Sequence, residues 1–202
     1  MSRYIGPKTK LSRKFGEDLS LKTNAAKTAR RLMQAPGQHG AKMRRKLSQY
    51  GLQLKEKQKV RALYGLSEKQ LVKLYKEATS KETNTGMTLL SYLERRLDNV
   101  IYRANFAPTR AAARQLVNHA HFYVNGKKMD IPSYRVHVND VISIKPSSNS
   151  HKNLAAAIKN NEKTDGGWFN IKGGIINIVT LPIRENTFEK IDEQLIVEYY
   201  SR

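Results

Sequence analysis

Seventeen Lys or Arg residues stand against Glu17, Asp18 and Glu56 within the first 61 positions, an excess of +14. A segment with so much unbalanced charge and so few large apolar residues repels itself, and it cannot build a core alone. The whole chain carries +20 from 37 basic and 17 acidic residues, so the other 141 residues hold +6 and read as an ordinary folded body. Nucleic acid is the leading counter-charge, because each phosphate neutralised by Lys or Arg releases counterions. An anionic membrane is the rival, but no segment approaches the roughly 20 apolar residues a spanning helix needs. Cysteine is absent, which removes disulfides, thiolate zinc sites and cysteine nucleophiles together. No apolar N-terminal run with a cleavage site appears, so the expected compartment is the cytoplasm.

Along residues 1–43, Gly6-Pro7, Gly16 and Ala35-Pro36-Gly37-Gln38-His39-Gly40 interrupt any long period, which predicts an extended basic arm with a short helix over 24–34. A helical pattern follows over 52–78. Val60, Leu63 and Tyr64 share a face flanked by Lys55, Lys57, Lys59 and Arg61, Gly65 ends the first helix, and Ser67 with Gln70 forms a capping box for the next. After a polar loop over 80–86, one helix is expected over 88–105, with Leu89, Leu93, Leu97, Val100, Ile101 and Ala104 on its apolar face. Pro108-Thr109 marks a break and a new N-cap, and a helix over 110–119 buries Ala113, Leu116 and Val117. Asn125-Gly126 after Phe122-Tyr123-Val124 is a two-residue hairpin signal, and Val141-Ile142-Ser143-Ile144 reads as a closing strand. A weak helix over 154–159, a hairpin across Gly173-Gly174, and a last helix with Phe188, Ile191, Leu195 and Tyr199 on one face complete the pattern.

Arg110, Arg114 and Asn118 recur at i, i+4 and i+8 opposite the apolar face of the 110–119 helix. Near a helix N-terminus, backbone N–H groups and guanidiniums can meet the same phosphate oxygens. Lys127 and Lys128, just past the hairpin turn, extend that surface. Simple solvation of the two arginines is the competing reading, and periodicity alone does not separate them.

The run Leu93-Glu94-Arg95-Arg96-Leu97, followed by Ile101-Tyr102-Arg103, Ala107-Pro108-Thr109 and Ala113-Arg114-Gln115-Leu116-Val117, resembles the signature of the S-four RNA-binding domain. Asn125-Gly126-Lys127 and Val138-Asn139-Asp140-Val141-Ile142 continue it in order. That module also occurs in pseudouridine synthases, a class of tyrosyl-tRNA synthetase and a heat-shock RNA-binding protein. The flanks resemble the S-four family of bacterial small-subunit ribosomal proteins: Arg3-Tyr4-Ile5-Gly6-Pro7-Lys8, Lys10-Leu11-Ser12-Arg13, Gln53 to Arg61, and Leu195-Ile196-Val197-Glu198-Tyr199-Tyr200-Ser201. The stretch 147–184 carries little of the likeness. Some relatives hold zinc in the arm through cysteines. This chain has none, and His39, His119, His121, His137 and His151 offer no replacement motif.

The resemblance implies an α+β protein: a helical domain over 44–88 completed by 185–202, with an RNA-binding module over 89–184 inserted in it. That module has two helices, a small antiparallel sheet and a peripheral hairpin, and the basic arm over 1–43 precedes the whole, ordered only against RNA. It further implies a structural role in the small ribosomal subunit without catalysis, and with no cysteine and no histidine motif neither metal nor cofactor is expected. The expected partners are the five-prime domain of small-subunit ribosomal RNA at a multi-helix junction, ribosomal protein S-five, and messenger RNA near the entry channel, with effects on assembly and decoding accuracy. Candidate RNA contacts are Arg3, Lys8, Lys10, Arg13, Lys14, Arg44, Arg45, Lys57, Lys59, Arg61, Arg96, Arg103, Arg110, Arg114, Asn118 and Lys127. An adaptor for an RNA-modifying enzyme and a free RNA chaperone are the alternatives.

Overall fold

The computed structural model describes residues 4–40, 46–81, 83–148, 154, 163–165, 167–186 and 189–202. They form two compact units, Met1–Leu89 with Lys190–Arg202, and Leu90–Glu189.

In the first unit, α1 (Lys8–Phe15) opens the chain and buries Ser12 and Phe15. Leu19 beyond it is also buried, and Glu17 reaches Lys59 at 2.8 Å. The expectation of an extended arm is therefore corrected over residues 8–19, where two large apolar side chains anchor the basic segment. The expected helix over 24–34 shortens to α2 (Ala25–Ala29). Next, α3 (Gln49–Leu63) starts where the Ser48 hydroxyl accepts from the Gly51 N–H and stops before the left-handed Gly65. The capping box forms as expected: α4 (Glu68–Thr79) begins with the Ser67 hydroxyl accepting from the Gln70 N–H and the Gln70 side chain accepting from the Ser67 N–H. The helix that ends the chain starts at Glu193, capped by Asp192, packs on α3 and buries Ile196. Leu195, expected on the apolar face, is only half-buried, and Phe188 lies outside the described residues.

The single helix expected over 88–105 is two helices, α5 (Thr85–Glu94) and α6 (Leu97–Arg103). Arg96 between them is extended, at φ −66° and ψ 136°. Neither Gly nor Pro causes the break. The Leu97 and Asp98 N–H groups donate to the Tyr134 and Pro132 carbonyls, and the Arg95 carbonyl accepts from the Val136 N–H, so segment 132–136 replaces the helical bonds. Then α7 (Arg110–Asn118) packs on α6.

The antiparallel sheet holds β1 (Phe122–Val124), β2 (Lys127–Met129), β3 (Val141–Ile144), β4 (Lys163–Asp165), β5 (Phe169–Lys172) and β6 (Ile175–Ile178), in the order β2-β1-β3-β6-β5-β4. Asn125 and Gly126 both take positive φ, as a two-residue turn of this twist requires. The later hairpin is not peripheral. β6 pairs with β3, and Trp168, Ile171 and Ile176 share one core with Leu97, Val117 and Phe122. The helix expected over 154–159 lies outside the described residues except for the helical, buried Leu154. The last helix of the chain is α8 (Glu193–Tyr200).

Candidate nucleic-acid interface

Local capping fixes the start of α7: the Thr109 hydroxyl accepts from the Ala112 N–H at 3.2 Å. Arg110, the first helical residue, therefore projects back toward α6. Its Nε donates to Asn99 Oδ1 at 2.8 Å, one Nη donates to Glu189 at 2.5 Å, and the guanidinium lies 4.4 Å from the centre of the Tyr102 ring. Arg103 makes a fork with Glu94, at 3.0 and 2.8 Å, and also bonds Glu189. The Asn99 amide closes the ring by donating to the Glu94 carboxylate at 2.7 Å. Burial by itself would raise the Glu189 carboxyl, but Arg110 and then Arg103 hold it below the usual carboxylate range. Burial would likewise lower the Arg103 guanidinium, yet Glu94 and Glu189 push it well above its ordinary value.

Arg110 is only 9 % exposed, so the expectation that it faces outward is corrected. Arg103 has the same fate, and Arg96 is buried in a two-point pair with Asp98 at 3.1 and 2.8 Å. Asp98 also draws Arg114 to 3.8 Å, but Arg114 keeps partial exposure. In the first unit Lys57 and Lys59 are buried rather than flanking the core. Lys57 Nζ sits 2.7 Å from Glu68 and 4.5 Å from the Tyr199 ring centre, while Lys59 Nζ donates to the Lys190 carbonyl and pairs with Glu17 and Glu56. The Tyr200 hydroxyl donates to Glu68 at 2.9 Å. Burial and then Glu68 raise that phenol beyond the ordinary tyrosine range. Arg13 donates to the Gln34 and Ala35 carbonyls and braces the turn that follows α2.

Other nominated residues do face solvent. Lys10, Lys14, Asn118 and Lys127 are exposed, and Lys8 and Arg61 are half-buried, with Arg61 at 3.5 Å from Glu68. Arg3, Arg44 and Arg45 lie outside the described residues. Sequence reasoning missed the exposed Lys69, Lys73 and Lys76 of α4. The i, i+4, i+7 spacing opposite Leu71 and Ala78 was the available signal. The hairpin that presents Lys127 and Lys128 is braced from behind. Asn125 donates to Asp140 at 2.8 Å and accepts from the Val141 N–H at 2.9 Å, and the His137 N–H donates to Asp140 at 2.8 Å.

Among the described residues, no group of three or more His, Cys, Asp or Glu could hold a metal ion, and no helix is long and apolar enough to cross a membrane. The His119 and His121 rings stack at 6.0 Å, and His121 Nδ1 lies 2.8 Å from the Ser148 hydroxyl.

Two helices closed on an antiparallel sheet, with lysines on a braced hairpin, form the frame of a binding module, and the first unit separately presents lysines on α1 and α4. Residues 95–142 match the S4 domain, and residues 3–94 match the family described as the ribosomal protein S4/S9 N-terminal domain. The chain is 49 % identical to the small ribosomal subunit protein uS4 of Herpetosiphon aurantiacus. It is 47 % identical to the proteins of that name from Hydrogenovibrio crunogenus and Chloroflexus aurantiacus. All three alignments cover 100 % of both chains. The chain belongs to the uS4 family of small ribosomal subunit proteins. That family is ribosomal and structural, not enzymatic.

Proposed function

We propose that this chain is a structural component of the small ribosomal subunit that binds its ribosomal RNA in the bacterial cytoplasm, mainly through phosphates. The observation that carries this reading is the separation of basic residues into two sets within a family of ribosomal proteins. Arg96, Arg103, Arg110, Lys57 and Lys59 are matched inside the protein by carboxylates and carbonyls. Lys10, Lys14, Lys69, Lys73, Lys127 and Lys128 are exposed. The folding charge is thus largely settled internally, and the exposed set remains for a polyanion. Phosphate contacts position such a protein, and shape rather than base sequence is what a structured RNA presents.

The finer reading, supported by the family, is early binding at a multi-helix junction of the five-prime domain. Contact with ribosomal protein S-five near the messenger entry channel then gives the chain its part in decoding accuracy. Hydroxyl-radical footprinting of the full chain on small-subunit ribosomal RNA tests this. Protection clustered at one junction of the five-prime domain is expected, and uniform weak protection along the RNA would overturn it. In a salt titration each lost phosphate contact should reduce the slope of log affinity by about 0.7 to 0.9. Replacing Lys127 and Lys128 together by Ala should therefore flatten it measurably.

A further inference from the structure

Glu94, Arg103, Arg110 and Glu189 meet in one cluster whose formal charges cancel. Its two carboxylates are not equivalent. Glu94 belongs to α5, is 1 % exposed, and is held by the Arg103 fork and by Asn99. Glu189 lies beyond the last strand and past the short turn Arg184–Asn186, and its side chain is 20 % exposed. It touches one Nη nitrogen of each arginine, and the Nε donors of both point elsewhere, to Glu94 and Asn99.

We infer that Glu189 is an exchangeable counter-ion occupying a phosphate site formed by Arg103 and Arg110, and that an RNA phosphodiester takes its place in the complex. This rests on the RNA-binding reading above. A carboxylate and a phosphodiester each carry one negative charge on two oxygens, and both match guanidinium donors. The swap therefore leaves the cluster neutral, and neither buried arginine passes through an unpaired state in the bound form, which would be costly. Glu94 and Asn99 keep the Nε donors throughout, and the Tyr102 ring fixes the plane of Arg110. The arginines are then preorganised for phosphate, at the expense of competition from the protein's own carboxylate. That competition favours an RNA whose shape delivers a phosphate to this point over one that offers only diffuse charge.

The test compares the full chain with Glu189→Gln and Glu185→Gln, binding a transcript of the five-prime domain of small-subunit ribosomal RNA across a salt series. Glu185 is exposed, so its variant reports the gain from net charge alone. Glu189→Gln should tighten binding about three- to tenfold, because a neutral amide competes less well for the two arginines than the carboxylate does. Glu185→Gln should change it much less. Equal gains from both would reduce the effect to bulk charge and overturn the inference. So would unchanged affinity with a lowered unfolding temperature, the mark of a purely structural carboxylate. If Glu189→Gln does not fold, the Glu189 carboxyl carbon can be followed by NMR in the wild-type chain. Its resonance should move when RNA is added, and a static resonance in a formed complex would overturn the exchange. Absence of any salt-sensitive binding by the wild type would instead overturn the RNA-binding reading itself, and the inference with it.

Discussion

Asn99 ties two helices together through a single amide, accepting from Arg110 and donating to Glu94. Its position explains why Arg110 cannot be removed without consequence. Arg110→Ala leaves the Asn99 oxygen without its donor and Glu189 with Arg103 alone. Breaking a buried pair from one side costs about 3 to 5 kcal/mol, and partial exposure of Glu189 favours the lower end. Arg114→Ala should cost under about 1 kcal/mol, because Asp98 keeps its close pair with Arg96. Arg110 is thus expected to support the fold, whereas Arg114 is expected to be replaceable with little harm to it. Urea unfolding of the two single variants checks this, and equal small losses would show that the cluster does not carry Arg110 in solution. The same cluster sets an acid limit. The Glu189 carboxyl is depressed in the folded chain, so its contribution is present above the unfolded value of about 4.3 and is lost as pH falls below that toward the folded value. Stability measured downward from pH 7 should therefore fall less steeply in Glu189→Gln than in wild type.

At the scale of elements, the distance over which a signal acts decides whether sequence reveals it. The β1–β2 hairpin was legible because its determinants are adjacent: Asn125 and Gly126 supply positive φ directly after the apolar run Phe122-Tyr123-Val124. The capping box of α4 was legible for the same reason, its partners Ser67 and Gln70 lying three positions apart. The α5–α6 break was not, because the apolar period runs straight through it and the groups that interrupt it arrive from residues 132–136. The pairing of Arg110 was hidden likewise. At i, i+3 and i+7 this residue borders the same face as Ala113 and Val117, which are buried with it, whereas its partner Glu189 comes from 79 positions away and leaves no local signal. Extension of the sheet by β6 also depends on a long-range pairing, with β3. The locally determined turn yields a direct test. Asn125→Ala loses the Asp140 and Val141 bonds and puts at φ 51° a residue that lacks asparagine's tolerance of the left-handed region, which should cost roughly 2 to 3 kcal/mol. Asn125→Gly relieves the backbone term alone and should fall between that variant and wild type in chemical denaturation. Equal losses would mean that backbone strain contributes nothing at the turn.

For the whole molecule, a charge of +20 has to coexist with a folded state, and the two ends of the first unit show how it does. With no described group of metal-binding side chains, stability and RNA affinity should be indifferent to a strong chelator. A fall in either by calorimetry or filter binding would reveal a metal site. The N-terminal segment provides the larger test. Its charge alone predicts disorder before RNA binds, yet Phe15 and Leu19 are buried and Glu17 pairs with Lys59, which also holds the Lys190 carbonyl. Burying two such side chains contributes about 1.5 to 3 kcal/mol each before the entropy of ordering the segment is subtracted. A net of even about 1 kcal/mol moves the midpoint of a domain this size by several degrees. Deleting residues 1–19 should therefore lower the unfolding temperature of the first unit, and should also flatten the salt dependence of RNA binding through loss of Lys8, Lys10 and Lys14. The two effects separate cleanly. Raising salt screens repulsion among the exposed lysines and stabilises the intact chain, whereas the lost apolar contacts of the deletion persist at any ionic strength. An unchanged unfolding temperature in the deletion, with only RNA affinity reduced, would show that the segment is held by RNA rather than by Phe15 and Leu19.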